Sequence, residues 1–565
     1  MNLIAMILLA QWSDWDWPMY KHDPARTGRS PMVGKFTDST IMFVRWWDWT
    51  YKPDASVYAA PCSFDLNKDG IWDLIIPLRQ RDTLEHDTGA LWINDGLNRW
   101  AYGLFFGDYP GHGRPVAGDI DNDGEIEVAL YSSRGRLWVI RVDSVPYYSV
   151  EFCRYLIDST VAPVGPTYYA SSPLVADIDG DGKMEIITGS STKEHYIGAP
   201  RIGDTVFCFK AQGPDAYSLE WARSYGSSEY FVAPPSAADL NGDGDLEIVM
   251  VSFTGMLICI NHDGTLRWST RIPALPDDTM FWDPPVLGDL TGDGIPEIIV
   301  NNPYVSANPP GDTALWAYDA SGNLLWAHHP VRGSTESPSL CDLNDDGALD
   351  VILVTVSDSF TVRAIRGQDG SELWKLHKVR IRPGCSATIA DINGDGEEEL
   401  VFGAFFGPFP NQGIMAIRKD GSHLWRFWIG VNHTVGGTRG GVIIADFDGD
   451  GYGEIFTAGG SCNMAVIDAD SAALPVGEAA ARPRSLISVE PRVFRGALRI
   501  TLSLPEESQV ELSLYDFTGR KIARVYEGTA KEKTITYDNP LKPGVYVLVL
   551  RGKGVYQKIS VLRGP

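Results

Sequence analysis

Asp177–Glu185 reads DIDGDGKME, and this nine-residue pattern recurs along the chain. Before it stand DLNKDGIWD at Asp65–Asp73 and DIDNDGEIE at Asp119–Glu127. After it come DLNGDGDLE (Asp239–Glu247), DLTGDGIPE (Asp289–Glu297), DLNDDGALD (Asp342–Asp350), DINGDGEEE (Asp391–Glu399) and DFDGDGYGE (Asp446–Glu454). Successive copies start 54, 58, 62, 50, 53, 49 and 55 residues apart. Eight occurrences at so steady a period mark a repeat architecture, in which each unit buries its apolar face against its neighbours.

Each copy carries oxygen side chains at its first, third, fifth and ninth positions and glycine at its sixth. Calcium is a hard cation that takes roughly six to eight oxygen ligands. Alternate residues of a tight loop can face one ion, the glycine allows the sharp turn, and the seventh residue can add its backbone carbonyl. The candidate ligands are Asp65, Asn67, Asp69, Ile71 and Asp73 in the first copy, and Asp119, Asp121, Asp123, Glu125 and Glu127 in the second. The third and fourth offer Asp177, Asp179, Asp181, Lys183 and Glu185, then Asp239, Asn241, Asp243, Asp245 and Glu247. The fifth and sixth offer Asp289, Thr291, Asp293, Ile295 and Glu297, then Asp342, Asn344, Asp346, Ala348 and Asp350. The last two offer Asp391, Asn393, Asp395, Glu397 and Glu399, then Asp446, Asp448, Asp450, Tyr452 and Glu454.

An ion-free Asp/Asn/Gly turn is the plain alternative, since these residues favour turns anyway. Charge argues against it: the first, third, fifth and ninth positions hold 27 acids across the copies, and three or four carboxylates on one hairpin repel without a cation. Eight calcium ions, one per copy, would bring the net charge of −25 to about −9, so much of the acidity belongs to these sites. An EF-hand would need a glutamate at its twelfth position and flanking helices. Here PLVAD precedes the third copy and EIITGS follows it, both strand-like. Magnesium, which prefers rigid octahedral sites rich in water, suits the pattern less well.

These loops resemble the FG-GAP and VCBS repeats of bacterial surface proteins and integrin α-subunit heads, over residues 41–468. The resemblance implies a β-propeller with calcium in the hairpin between the first two strands of each blade. A second signature follows most loops: HDGTLRW ends at Trp268, ASGNLLW at Trp326, QDGSELW at Trp374 and KDGSHLW at Trp425, with looser versions ending at Trp100 and Trp221. A DG turn before a Trp-bearing strand predicts the outer hairpin of a blade, with the indole packed between blades. It is similar to the tryptophan-bearing repeats of quinoprotein-like propellers, as is the opening WPMYKHDPARTG at Trp17–Gly28. The last unit lacks a fourth strand after NMAVIDAD, while IMFVRWWDW at Ile41–Trp49 precedes the first loop without a partner. The expected fold is therefore all-β: an eight-bladed propeller over 41–470, closed by that N-terminal strand, after an extension at 11–40.

Strand direction places the calcium hairpins and DG turns on one face and the longer, more varied connections on the other. The second face is rich in aromatic residues: Tyr102, Phe105, Phe106, Tyr109, Tyr168, Tyr169, Tyr230, Phe231, Phe281, Trp282, Phe405 and Phe406. These rings could stack on sugars or grip a peptide, or else fill the channel and the gaps between blades.

After a linker at 471–485, residues 486–565 hold 13 Lys/Arg and 8 Asp/Glu, with strand-like runs such as GVYVLVLRG, and predict a small Ig-like β-sandwich. The run LSLYDFTGRKIARVYEG, with LKPGVYVLVLRG and YQKISVLRG, resembles the C-terminal sorting domain of type IX secretion, although EPRVF at Glu490–Phe494 lacks the family's Asn-Pro. The resemblance implies the type IX machinery as a partner and a secreted or cell-surface location. Residues 1–10, MNLIAMILLA, fit a signal-peptide remnant, with no lysine or arginine before Lys21. The net charge argues against nucleic acid and anionic membranes as partners, and no apolar run is long enough for a membrane span. Seven scattered cysteines form no CxxC pair and suggest neither zinc nor a disulfide framework.

The preferred functional reading is a binding or adhesion module with structural calcium and an extracellular glycan or protein ligand on the face away from the loops. The alternative is a propeller enzyme, either a calcium-dependent polysaccharide lyase or a quinoprotein-like dehydrogenase. The dehydrogenase version wants adjacent cysteines, which this chain lacks. The lyase version needs a base and cations converging in one cleft; His112, His195, His328, His329, His433, Arg114 and Arg439 fall in or near connecting loops.

Overall fold

The structure is a computed structural model. It describes residues 23–563 apart from 37–42, 48–54, 58–59, 67, 69, 82–86, 95–100, 106–112, 133–134, 145–146, 157–170, 190–204, 227–228, 274–280, 302–314, 329–336, 356–360, 377–385, 404–412, 429–441, 459–463, 469–486, 491–492, 495–496, 517–520, 538–540, 542–543 and 553–554. Contacts divide the chain into two units, Met1–Leu474 and Pro475–Pro565. Among the described residues all regular elements are strands, and no helix is long and apolar enough to cross a membrane.

In the first unit the described strands form eight separate sheets of four or five strands. One of them shows the plan: Ser236–Ala238, Glu247–Val251, Met256–Ile260 and Leu266–Arg271 pair antiparallel in chain order. Glu247–Val251 is buried along its whole length, which explains its unbroken apolar run after the glutamate. Leu266–Arg271 alternates between exposed and half-buried residues, as an outer strand with one wet face must. Sheet follows sheet along the chain, giving a propeller-type repeat fold.

Two sets of contacts tie neighbouring sheets together in the middle and later part of the unit. On the inner strands, hydroxyls reach across: Ser236 Oγ donates to Pro285 O (2.7 Å), Ser339 Oγ to Ala387 O (2.6 Å) and Thr388 Oγ1 to Val442 O (2.7 Å). On the outer strands the repeated tryptophans dock on the DG turn of the following sheet. Trp221, Trp268, Trp326 and Trp374 donate their indole N–H to His262, Ala320, Gly367 and Lys419 carbonyls at 2.7–3.0 Å. Each ring also lies on a turn glycine: a Cβ at Gly264, Gly322 or Gly370 would sit 2.7 Å from the preceding tryptophan. The turn glycine thus serves both its positive φ, 72° at Gly370, and the close approach of the ring.

The last sheet takes its fourth strand from the N-terminal part of the chain. Phe43–Trp47 pairs antiparallel with Met464–Asp468, Phe43 opposite Asp468. The segment before it does something composition did not suggest. Pro24, Ala25, Thr27 and Gly28 carbonyls accept the backbone N–H groups of Ala237, Leu287, Leu340 and Ile389, at 2.9–3.1 Å. Four successive inner strands are thereby stitched by one strap. Arg26 within it is fully buried at φ 64° and donates to Pro235 O (3.2 Å). The strap then runs as Arg29–Val33 parallel to Thr388–Asp391, and Met32 and Phe36 enter the core beside Ile444 and Trp425.

In the second unit Leu498–Asp516 is the organising strand. Its first part pairs with Ile487–Glu490 and its last part with Gly544–Gly552, while Lys521–Tyr537 follows it along its length. The irregularity between Ser503 and Ser508 marks the change of neighbour. Leu498, Ile500, Leu502, Leu512, Leu514 and Leu548 form the core of this unit.

Candidate metal centre

Each nine-residue loop joins the first two strands of a sheet, and its ninth residue opens the second strand, as Glu185 opens Glu185–Gly189. Two hydrogen bonds recur in all eight copies. The ninth carboxylate accepts the N–H of the second residue at 2.6–3.2 Å, from Leu66 to Asp73 through Phe447 to Glu454. The first aspartate's Oδ2 accepts the N–H of the sixth-position glycine, again at 2.6–3.2 Å. Those glycines all have φ between 85° and 106°, a region that other residues adopt only under strain. In copies two to eight the fifth residue's Oδ1 also accepts the N–H of the seventh.

In copies two and three the first and ninth carboxylates commit one oxygen each to the backbone and keep a second to offer, whereas in copies four to eight the first aspartate's Oδ1 also accepts loop N–H groups, as from Gly242 to Asp239 and from Gly449 to Asp446, both at 2.6 Å. Asp119 Oδ1, Glu127 Oε1 and Asp177 Oδ1 are buried without a hydrogen-bond partner among the described residues. A buried carboxylate oxygen left so is costly unless a cation meets it. The ligand-forming oxygens converge within 4.8 Å in Asp446/Asp448/Asp450/Glu454, Asp119/Asp121/Glu127 and Asp177/Asp179/Glu185, so these groups could hold a metal ion. In copies four and seven the third residue closes the pocket by hydrogen bonding: Asn241 and Asn393 Nδ2 donate to Glu247 and Glu399 Oε1, both at 2.8 Å. Asn67 and Asp69 of the first copy lie outside the described residues.

The electrostatics follow from this crowding. Burial first, then the neighbouring carboxylates, push Glu127 up to about 9, Glu185 and Glu399 to about 8, and Glu247 and Glu297 to about 7. Asp446 rises to about 7, Asp350 and Asp448 to about 6, and Glu454, the most deeply buried, well above its ordinary range. Without a cation, burial and mutual repulsion disfavour the charged forms of these carboxyls. A divalent ion reverses that balance, and the all-oxygen donor set suits calcium.

Adjacent copies touch. Asn122 Nδ2 donates to Gly182 O (2.7 Å), Leu246 N to Ile178 O (2.8 Å) and Leu349 N to Asp289 O (2.9 Å). Trp72 N donates to Asp446 O (3.1 Å), so the first and last copies in sequence are neighbours in space.

Of the two readings of the aromatic residues, those whose side chains are described take the packing one. Phe231 and Phe281 are fully buried, Tyr230 is 7% exposed, and Trp282 packs edge-on against Phe253 at 5.1 Å. These rings fill space, because the connections carrying them fold back onto the sheet core. Tyr102 and Phe105 belong to strand Ala101–Phe105, and the remaining six aromatic candidates lie outside the described residues. His328 is buried with Nδ1 on Gly370 O (3.0 Å), a packing role. Arg114 pairs with Asp283 at 3.3 Å, both largely buried. His112, His195, His329, His433 and Arg439 lie outside the described residues. Sequence reading missed Lys210, Arg141, Glu151 and Asp215, which reach the loops from neighbouring strands and turns. Only a β-register would have revealed them.

A family model of the FG-GAP-like repeat matches residues 239–300. The chain is 23% identical over 347 residues to cartilage acidic protein 1 of Xenopus tropicalis, covering 60% of this chain and 46% of that protein. It is also 23% identical to rhamnogalacturonan endolyase YesW of Bacillus subtilis over 310 residues, 50% of this chain and 44% of the lyase. The chain thus spans less than half the length of these relatives. Among solved structures, quinohemoprotein alcohol dehydrogenase ADHIIG from Pseudomonas putida HK5 superposes with a TM-score of 0.50 at 13% identity, over 82% of each chain. That likeness supports the propeller-type fold and nothing more specific.

Proposed function

We propose that this protein is an eight-bladed, calcium-stabilised β-propeller that acts outside the cell as a binding or adhesion module. One observation carries the reading: the same cradle of carboxylates and backbone N–H groups recurs in eight loops. The contact between the first and last copies supports a closed ring. Calcium in this reading pins the first hairpin of each blade, and an extracellular glycan or protein ligand meets the opposite face. The C-terminal unit is an Ig-like sandwich that addresses the chain to type IX secretion, which its basic, strand-rich sequence supports. Melting the calcium-loaded protein with and without EDTA tests the structural role; an unchanged melting temperature refutes it. A glycan array run with and without chelator seeks the ligand.

A second reading has one observation in its favour. Two curated relatives are named as rhamnogalacturonan lyases, the endolyase YesW and the exolyase YesX of Bacillus subtilis. Incubation with rhamnogalacturonan and other acidic polysaccharides decides between the classes. Unsaturated sugar products would replace the binding-module reading with a lyase, and binding without turnover would retain it.

A further inference from the structure

The loops are not equivalent. Lys210 lies on Thr205–Gly213, directly opposite Glu185, the ninth residue of the third loop. Its ammonium hydrogen-bonds Asp179 and lies 3.1 Å from both Asp181 and Glu185. The third, fifth and ninth positions, which would share an ion, thus converge on one nitrogen. The lysine side chain is only 10% exposed and Glu185 1%, while Asp179 and Asp181 are 25% and 44% exposed, so the ammonium sits on a buried carboxylate beneath the loop's outer edge.

Other copies bring a basic residue to the loop, from the same register or from the strap, and use it differently. Arg141 lies opposite Glu127, but it is drawn aside by Asp215 (3.1 Å) and Glu151 (3.5 Å) and stays 3.9 Å from Asp123. Arg418 lies opposite Glu399 and donates to His423 O at 3.5 Å. Lys35 meets one carboxylate of the eighth loop, Asp450, at 2.7 Å, and its ammonium lies over the Tyr452 ring. Arg366 meets one carboxylate of the sixth, Asp346, at 3.3 Å. Among the described residues, Lys210 is the cation that touches three ligand positions of one loop.

We infer that the third loop carries its own cation: the Lys210 ammonium takes the place of a divalent ion, and the ring binds one calcium fewer than its carboxylate pattern implies. A compact ammonium with three donors satisfies three carboxylates at once. Calcium at the same point would face an adjacent positive charge. Lys183, at the loop's seventh position, adds further positive charge where a neutral residue would do. The inference rests on the calcium reading of the other loops.

Calcium bound per chain, measured by elemental analysis of the full-length protein after calcium loading and desalting, tests it. Asp179→Asn leaves the count unchanged, whereas Asp448→Asn in the eighth loop lowers it by one. Lys210→Met empties the third site of its ammonium and raises the count by one. The same variant melts below wild type in EDTA and recovers in calcium. A loss of one calcium in Asp179→Asn overturns the inference, as does a folded Lys210→Met chain with the wild-type count. A wild-type chain that holds no calcium overturns the calcium reading itself.

Discussion

Glu127→Gln separates the two faces of a calcium loop. Glu127 is fully buried; its Oε2 accepts the Ile120 N–H at 2.7 Å, and its Oε1 has no hydrogen-bond partner among the described residues. Burial, then Glu151, Asp121 and Asp119, raise its carboxyl from 4.5 to about 9. In chelator the folded protein keeps this proton up to that pH, while the unfolded chain releases it above about 4.5. Metal-free stability therefore falls as pH rises across that window. At pH 7 the accumulated cost is about 3 kcal/mol. Glutamine keeps a carbonyl acceptor for Ile120 and has no proton to hold, so the variant gains up to about 3 kcal/mol in EDTA at pH 7. In calcium the sign reverses. The variant lacks one charged ligand, and if its site empties at a calcium concentration of about 1,000 Kd for wild type, it forgoes about 4.1 kcal/mol, which outweighs the gain of about 3 kcal/mol and leaves it about 1 kcal/mol less stable. Urea unfolding of both proteins at pH 7, in EDTA and in calcium, gives the two differences. A shift of the same sign in both buffers would refute the argument, because it would make Glu127 an ordinary packing residue.

Trp326→Ala is expected to destabilise the first unit by about 3–5 kcal/mol, since a largely buried indole lying on Gly370 is lost. Trp326→Phe keeps most of the packing and forfeits the bond to Gly367 O, costing about 1 kcal/mol from that bond; equal losses in the two variants by urea titration would count against the docking role. Calcium affinity weakens as pH falls from 8 towards 5, because Glu247, Glu297 and Glu399 bind protons near 7 to 8 when metal-free. Calorimetry in buffers of different ionisation heat should register protons released on binding, and a pH-independent affinity would contradict this. Deleting residues 23–36 is expected to speed hydrogen exchange together at the amides of Ala237, Leu287, Leu340 and Ile389, which donate to the strap. Unchanged protection at those amides would show that the strap does not hold the inner strands.

The sequence by itself determined the unit and its chemistry. The carboxylates, the sixth-position glycine and the strand-like flanks lie within nine residues and a few neighbours, so their geometry is local and every copy repeats it. The DG turns and their tryptophans were legible for the same reason, although that Trp326 bonds to Gly367, in the next sheet, came from the structure. Tertiary structure decided what depends on pairing across distance. Lys210 is 25 residues beyond Glu185 in sequence and becomes its neighbour only through strand register. The strap at Asp23–Phe36 uses backbone carbonyls, which carry no side-chain signature, so nothing in its composition announces four inner strands as its partners. The buried Phe231 and Phe281 mark the same boundary: an aromatic residue in a connection has one appearance in sequence whether it faces solvent or core, and only packing distinguishes the two. Thus eight similar loops can be read from the chain, but the charge that the neighbouring strand brings to each of them is decided by strand register.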